Sequence, residues 1–197
     1  MTGYEKLKEA DRLYASRYYT QAISLYKEAA LMGCHQAYNK IGDYYYYGDG
    51  GQMNYFEAAN WYRKGAVLGN VEAQHNLGVI YSNGHFGITA NEYESAGWFK
   101  MAAEQGYAPS QFNLGFCYET GSGVPQDERM AVMWYRRSAD QRYAPAMVDL
   151  ARKLYYGEGV AKDRDSAIWW CRSAVDASKT DYDKKHAIEY LKMWKAW

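Results

Sequence analysis

A chain of 197 residues is long enough for one or two ordinary domains. Lys and Arg total 23 and match 23 Asp and Glu, so no net charge favours binding to nucleic acid or to an anionic membrane. No apolar run approaches the roughly 18 residues of a membrane span, and the charged start MTGYEKLKEADRLY is unlike a signal peptide, which predicts a cytoplasmic protein.

Residues 3–36 predict a leading pair of helices. The segment AISLYKEAA, residues 22–30, has apolar residues spaced by three and four, as in a helix with one buried face. A helix over residues 3–15 precedes it, and a short turn around Arg17 joins the two.

A repeat of 36 or 37 residues follows the leading pair. Its copies span residues 37–72, 73–109, 110–145 and 146–179. Each copy has two stretches with apolar residues spaced by three and four, which predicts two helices per copy. The loop inside the second copy is one residue longer than the others.

Each copy pairs a small residue in its first helix with a Trp in its second. The small residues are Gly42, Gly78, Gly115 and Ala151. The tryptophans are Trp61, Trp98, Trp134 and Trp170. This pattern predicts two closely packed helices with the Trp filling the space beside the small residue. One pair alone buries too little apolar surface, so neighbouring pairs must stack.

The helix ends carry recognisable signals. The residues expected to end the first helices in a left-handed conformation are Gly48, Gly84, Gly121 and Gly157. The residues expected to cap the second helices are Asn54, Asn91, Asp127 and Asp163. Pro109 and Pro145 fall in the first turn of their helices, where a missing N–H is tolerated.

Residues 180–197 predict a C-terminal capping helix. Ala187, Leu191 and Trp194 have helical spacing there, and no glycine loop follows. The open end of a stack of helix pairs needs such a cover. Trp197 leaves a second role open, which is self-association; the oligomeric state is not predicted.

The segment SQFNLGFCYETGSGVPQDERMAVMWYRRSAD, residues 110–140, resembles the Sel-one-like repeat (SLR), a relative of the tetratricopeptide repeat (TPR). The leading pair looks like a TPR. The copies depart from the SLR pattern at Phe86, at Ala151 and at Cys171, which stands where Tyr is usual. The resemblance implies an all-α fold, a single right-handed α/α superhelical solenoid of TPR/SLR helix pairs over residues 1–197.

The resemblance also implies a concave groove lined by the first helices, where such proteins bind other proteins as adaptors or scaffolds. Groove positions lie two residues before the repeat's Leu and two, five and six after it. They are Asn39, Asp43, Tyr46, Tyr47, His75, Val79, Ser82, Asn83, Phe112, Phe116, Glu119, Thr120, Val148, Arg152, Tyr155 and Tyr156.

Apolar groove residues favour partner binding. Val79, Phe112, Phe116 and Val148 lie outside the core stripe of the repeat, and contiguous exposed apolar surface marks interaction sites. The alternative is that these side chains pack onto each other across the groove. His75 either tunes binding with pH, near its reference pKa of about 6.5, or makes a simple polar contact.

Catalytic, metal-binding and cofactor motifs are not convincing. The glycine strings follow helices rather than strands, so they are turns and not phosphate loops. The four His have no metal-ligand spacing, and Cys34, Cys117 and Cys171 form no CxxC pair, so free and mostly buried thiols are expected. Ser24 and Lys27 match the SxxK nucleophile motif, but no SDN or KTG element accompanies them.

Three functions remain, and none requires a cofactor or metal. The first is a protein-interaction module that binds a partner protein or peptide in the groove and is not an enzyme. The second, by the same resemblance, is a bacterial immunity protein that neutralises a toxin domain. The third is a β-lactam-binding protein or cell-wall hydrolase that uses Ser24.

Overall fold

The computed structural model describes residues 1–51, 53–84 and 87–196. Phe86, Trp197 and His85, one of the four His of the chain, lie outside these ranges. The helices in the described ranges are α1 (Gly3–Ala15), α2 (Tyr19–Leu31), α3 (Gln36–Tyr47), α4 (Tyr55–Val67), α5 (Val71–Asn83), α6 (Glu92–Glu104), α7 (Ala108–Thr120), α8 (Glu128–Asp140), α9 (Ala144–Tyr156), α10 (Arg164–Ala177) and α11 (Asp181–Met193). The all-α prediction is confirmed. Over these ranges, no helix has both the length and the apolar character needed to cross a bilayer.

The chain forms two compact units, Met1–Trp98 and Phe99–Trp197, whose boundary falls within α6. In the first unit, each helix from α1 to α4 packs against the next helix in the chain, and α3 also contacts α5. In the second unit, α7 to α11 pack in the same sequential way, and α9 also contacts α11. Each unit is therefore a stack of helix pairs in chain order. A single continuous solenoid stays a prediction.

The predicted core stripe of the first helices is buried. Ile41, Leu77, Leu114 and Leu150 are completely shielded from solvent. The packing beside the small residues differs from the prediction, because the residue that covers the glycine is the Tyr after the Trp. A Cβ on Gly115 would lie 2.7 Å from the ring of Tyr135, and one on Gly42 would collide with the ring of Tyr62. The prediction that the Trp fills the space beside the small residue is thus wrong. The two helices of a pair approach closely because a tyrosine ring of the second helix packs on a glycine of the first.

The predicted caps are confirmed. The side chains of Asn54, Asn91, Asp127 and Asp163 each accept a hydrogen bond from a backbone N–H of the helix that follows. Gly48, Gly121 and Gly157 have left-handed backbones, as expected at the end of a first helix. Gly84 also has a positive φ, of 61°, but its ψ of 139° is extended.

A backbone hydrogen bond closes the loop inside every copy. The N–H of the capping residue donates to a carbonyl oxygen in the last turn of the preceding helix. These bonds join Asn54 to Tyr45 (2.8 Å), Asn91 to Tyr81 (2.8 Å), Asp127 to Tyr118 (2.9 Å) and Asp163 to Leu154 (2.9 Å). The loop of the second copy closes in the same way although it has one more residue.

The C-terminal helix α11 covers α9 and α10, as a capping helix does. Ala187 and Leu191 are completely buried, and Trp194 is almost so. The indole of Trp194 stacks on the ring of Tyr155, with centroids 4.2 Å apart and planes 4° from parallel. The end of the second unit is therefore closed by aromatic packing.

Candidate functional site

Every predicted binding residue lies on the first helix of a pair or at its end. We call α1, α3 and α5 together the first-helix surface of unit 1, and α7, α9 and α11 the first-helix surface of unit 2. Side chains connect neighbouring first helices within each unit.

In unit 1, Asn39 and Asp43 form one hydrogen-bonded group with Asn76 of α5. The amide of Asn39 donates to Oδ2 of Asp43 at 3.2 Å, and the amide of Asn76 donates to Oδ1 of Asn39 at 2.9 Å. Tyr62 of α4 donates its hydroxyl to Oδ1 of Asp43 at 2.8 Å. Burial raises the pKa of Asp43, and the hydrogen bond from Tyr62 opposes that rise. The group holds α3, α4 and α5 together.

Tyr46 and Tyr47 form an aromatic edge at the end of α3. The Tyr46 ring makes edge contacts with the rings of Tyr47 and Tyr55, with centroids 5.1 Å and 5.3 Å away. Tyr46 is half-buried, whereas Tyr47 has 65% of its surface exposed. Tyr47 is therefore available to a partner.

Tyr47 also lines a cleft of about 380 Å³ between α1, α2 and α3. The other side chains that the cleft presents are Asp11, Tyr14, Tyr26, Lys40 and Asp43. Of these, the groove prediction contained only Asp43.

On α5, the four predicted residues differ in accessibility. Val79 is half-buried, while Ser82 and Asn83 are exposed. Burial lowers the pKa of His75 to about 4, so its imidazole is neutral near pH 7. The hypothesis that His75 titrates near its reference pKa is therefore wrong.

In unit 2, the apolar residues divide between core and surface. The ring of Phe112 packs against the rings of Tyr135 and Tyr143, with both centroids 5.7 Å away. Val148 is buried in the same core cluster. Phe116 is 52% exposed, so it alone of these three presents a large apolar surface.

Glu119 and Arg152 belong to a network of ion pairs centred on α7 and α9. Arg152 donates to Glu119 at 2.6 Å and to Glu158 at 2.9 Å. Lys153, with only 1% of its side chain exposed, lies 2.6 Å from Glu128, 2.8 Å from Glu119 and 3.2 Å from Glu158. The two charged residues that were predicted to contact a partner, Glu119 and Arg152, are thus already paired within unit 2.

The network sets the protonation of Glu119. Burial raises the pKa of this carboxyl, but the hydrogen bonds from Lys153, Tyr135 and Arg152 together lower it by more. The pKa of Glu119 is therefore below its usual value. The Tyr135 hydroxyl donates to Oε2 of Glu119 at 2.6 Å. Glu119 is therefore a fixed anion that joins α7, α8 and α9.

The remaining predicted residues lie at the ends of α7 and α9. The hydroxyl of Thr120 donates to the backbone carbonyl of Phe116 at 2.9 Å. The ring of Tyr155 lies between Trp194 and Tyr156, with the Tyr156 centroid 5.2 Å away at an edge angle of 76°. Tyr156 is 46% exposed, at the position equivalent to Tyr47 in the first copy.

Sequence reasoning missed Asp11, and it did not foresee that acidic residues of the first helices accept tyrosine hydroxyls. Tyr26 donates to Asp11 at 2.7 Å in the leading pair, as Tyr62 donates to Asp43 in the first copy. A signal was present in the sequence. In the copies where Tyr62 and Tyr135 follow the Trp, the first helix carries an acidic residue. In the copy where Phe99 follows the Trp, the end of α5 has no acidic residue.

The described residues offer little support for catalysis. Ser24 is exposed on α2, and the Lys27 ammonium donates to the hydroxyl of Tyr45 at 3.2 Å; no hydrogen bond joins Ser24 to Lys27 there. Among residues 1–51, 53–84 and 87–196, no three His, Cys, Asp or Glu side chains cluster as metal ligands do. The three cysteines are free thiols, with Cys34 partly exposed and the others buried, as expected.

Comparisons with known proteins agree with this architecture. A crystal structure of a Sel1 repeat protein from Oxalobacter formigenes has a TM-score of 0.81 at 31% identity, over 90% of this chain and 72% of that chain. Human protein sel-1 homolog 2 is 40% identical over 83 residues, which are 42% of this chain and only 12% of the human protein. Immunity protein PA5088 from Pseudomonas aeruginosa shares the fold, with a TM-score of 0.55 at 19% identity over 100% of this chain and 86% of that one.

The repeat itself is recognised five times along the chain. The Sel1 repeat pattern matches residues 16–34, 35–70, 71–107, 108–143 and 144–179. Repeats of this kind are protein-interaction modules. The resemblance seen in the sequence is confirmed, and the chain belongs to the Sel1 repeat family.

Proposed function

We propose that this protein is an adaptor or scaffold, not an enzyme, that binds a partner protein or peptide on its first-helix surfaces. The observation that supports this most is the exposure of Tyr47, Phe116 and Tyr156 on first helices of both units. Aromatic side chains dominate the binding energy of many protein interfaces.

The surroundings of these aromatic residues favour binding with little reorganisation. Asp43 beneath Tyr47 is held by Tyr62 and by two asparagine amides, and Glu119 near the end of α7 is held by Arg152 and Lys153. Such hydrogen bonds fix the helices that carry the exposed rings. A preorganised surface loses less conformational entropy on association.

Site-specific photo-cross-linking tests this proposal. A photoreactive p-benzoylphenylalanine replaces Tyr47 or Phe116, and the variants are expressed and irradiated in the source cells. The matched controls carry the same group at Tyr93 on α6 or Trp169 on α10, which are exposed aromatic positions on second helices. We expect a discrete cross-linked partner from Tyr47 and Phe116 only.

Two results would contradict the proposal. One is a cross-linked partner from Tyr93 and Trp169 but not from Tyr47 and Phe116, which would place the interface on the second helices. The other is no cross-link above background at any of the four positions in cells that produce the protein at its normal level.

The narrower immunity function uses the same surface. The Pseudomonas proteins called immunity proteins share only the fold with this chain, at 15% and 19% identity. Under this version the partner cross-linked at Tyr47 or Phe116 is a toxin, and co-expression with this chain restores the growth of cells that the toxin inhibits. An adaptor would cross-link to a partner whose production is harmless.

The hydrolase alternative makes a separate prediction. If Ser24 is a nucleophile, a labelled β-lactam acylates the chain, and the Ser24→Ala variant is not labelled. We expect no labelling of either form, because Lys27 contacts Tyr45 and lies over the rings of Tyr45 and Trp61 rather than activating Ser24.

A further inference from the structure

The cleft of unit 1 combines tyrosine rings with carboxylates. Its volume of about 380 Å³ is near the lower end of the range for ligand pockets, which suits a single side chain rather than a folded segment. Tyr14, Tyr26 and Tyr47 form its aromatic walls, and Asp11 and Asp43 are its acidic groups. The cleft lies on the surface proposed above to bind a partner.

The charge of the cleft is negative. Residues 1–98 contain only three aspartates, Asp11, Asp43 and Asp49. Asp11 and Asp43 line the cleft, and Asp49 accepts the hydroxyl of Tyr14 at its edge. Lys40 is the one basic side chain in the lining. The lining therefore holds two carboxylates and one ammonium, and Asp49 adds a third carboxylate next to Tyr14, which leaves an excess of negative charge.

The hydroxyls of Tyr14 and Tyr26 in the cleft are already used as donors. Tyr26 donates to Oδ1 of Asp11 at 2.7 Å, Tyr14 donates to Asp49, and Tyr62 donates to Asp43 from behind the cleft. What the cleft offers a guest is the faces of its rings, together with the second carboxylate oxygen of Asp11, which accepts no hydrogen bond from the described residues of unit 1. Ring faces and carboxylates both attract cations.

The other ligand classes fit less well. An anionic side chain would find only Lys40 as a charged donor, and it would approach Asp11 and Asp43 against electrostatic repulsion. A purely apolar side chain would desolvate the same carboxylates without compensating them. A cation compensates both carboxylates and contacts the rings.

We propose that the cleft binds an arginine side chain from a basic segment of the partner, an inference that rests on the proposed protein-binding function. The flat guanidinium stacks on the ring of Tyr47 or Tyr14 and donates an N–H to the second carboxylate oxygen of Asp11, the one that the Tyr26 hydroxyl does not contact. A lysine ammonium is more strongly hydrated and donates as a point, so it binds less tightly.

Synthetic peptides test the ligand class without knowledge of the natural partner. The probes are nonapeptides of Gly and Ser, blocked at both ends, that carry three Arg, three Lys, three citrulline or three Glu. Citrulline keeps the shape of Arg but has no charge. Isothermal titration calorimetry of the full chain should give the tightest binding for the Arg peptide, with the citrulline and Glu peptides weaker by at least about tenfold.

Variants of the chain locate the binding. Asp11→Asn removes one charge but keeps an oxygen that accepts the Tyr26 hydroxyl, so the fold is preserved. Tyr47→Ala removes an exposed ring. Asp176→Asn on α10 is the control, because it makes the same charge change at an exposed position of unit 2. We expect Asp11→Asn and Tyr47→Ala to weaken binding of the Arg peptide by about tenfold each, and Asp176→Asn to leave it unchanged.

The results separate this inference from the proposed function. Equal binding of Arg, citrulline and Glu peptides, or equal effects of Asp11→Asn and Asp176→Asn, overturns the arginine site. If the cross-linking at Tyr47 and Phe116 still captures a partner, the protein-binding function stands without it. If the Arg peptide binds through Asp11 and no partner cross-links, the site stands and the proposed function falls.

Discussion

Tyr62 of α4 lies on Gly42 of α3, so the ring of one helix fills the space that the other leaves by having no side chain. The Tyr62 hydroxyl continues past the glycine and donates to Asp43 at 2.8 Å. The same arrangement recurs in unit 2, where Tyr135 covers Gly115 and donates to Glu119 at 2.6 Å. A single tyrosine in each unit therefore joins the two helices of a pair twice, through its ring on the glycine and through its hydroxyl on the carboxylate.

Replacing the glycine under the ring is expected to destabilise the fold. Gly42→Ala places a methyl group into the ring of Tyr62, and overpacking of this kind costs about 1–3 kcal/mol. Gly97→Ala on α6 is the control, because no atom lies within 4 Å of its added Cβ, and it should stabilise the helix by up to about 1 kcal/mol. Chemical denaturation measures both. Equal effects of the two substitutions would argue against the packing described.

The tyrosine hydroxyl is expected to contribute separately from its ring. Tyr62→Phe keeps the packing on Gly42 but removes the donor to Asp43, which should lower the free energy of unfolding by about 1.5–3 kcal/mol. Tyr93→Phe, at an 80% exposed position, should change it by less than about 0.5 kcal/mol. A loss for Tyr62→Phe no larger than that of the control would show that the bond to Asp43 is not stabilising.

The buried ammonium of Lys153 is expected to be essential for unit 2. Lys153→Met leaves Glu119, Glu128 and Glu158 with one cation fewer, and breaking a buried ion pair costs about 3–5 kcal/mol. Lys100→Met removes an exposed pair with Glu104 and should cost less than about 1 kcal/mol. Thermal unfolding of the two variants compares them directly. A similar melting temperature for both would contradict the assignment of Lys153 as a structural cation.

Burial of His75 is expected to make stability depend on pH. Its folded pKa of about 4 lies below the unfolded value of 6.5, so between these values the unfolded chain binds a proton that the folded chain does not. Stability should therefore be fully present above pH 6.5 and fall as the pH decreases to 4, by up to about 1.4 kcal/mol per pH unit.

The His75→Gln variant isolates this contribution. The buried carboxylates of Asp43 and Asp149 have raised pKa values caused by burial, so they titrate with the opposite sign in acid. Only the difference between the wild type and His75→Gln, measured by denaturation from pH 4 to pH 7, reports on the imidazole. A constant difference across that range would mean that His75 is not buried in the neutral form.

The helix pairs and their caps were predictable because their signals are local. Apolar spacing, a capping residue such as Asn54 and a turn residue such as Gly48 each act within a few positions of the chain. The partners of the charged groove residues were not predictable in the same way. Glu119 and Arg152 were expected to contact a partner, but each finds the other 33 positions away in the next pair. Only three-dimensional packing decides whether such charges are paired internally.

The distinction between Phe112 and Phe116 has the same origin. Both were predicted from one helical stripe, and four positions separate them on α7. Phe112 is covered because Tyr135 and Tyr143 of other helices reach it, whereas Phe116 remains 52% exposed. The neighbours, and not the residue type, determine which of two phenylalanines can meet a partner.

The backbone bond that closes each loop, such as the one from Asn91 to Tyr81, involves no side chain. Its presence in the copy with the longer loop means that this closure tolerates one additional residue. We therefore expect the segment between Gly84 and Asn91 to accept a change of length while the bond at its base is kept. The same segment is a natural place to insert an epitope or a reporter peptide.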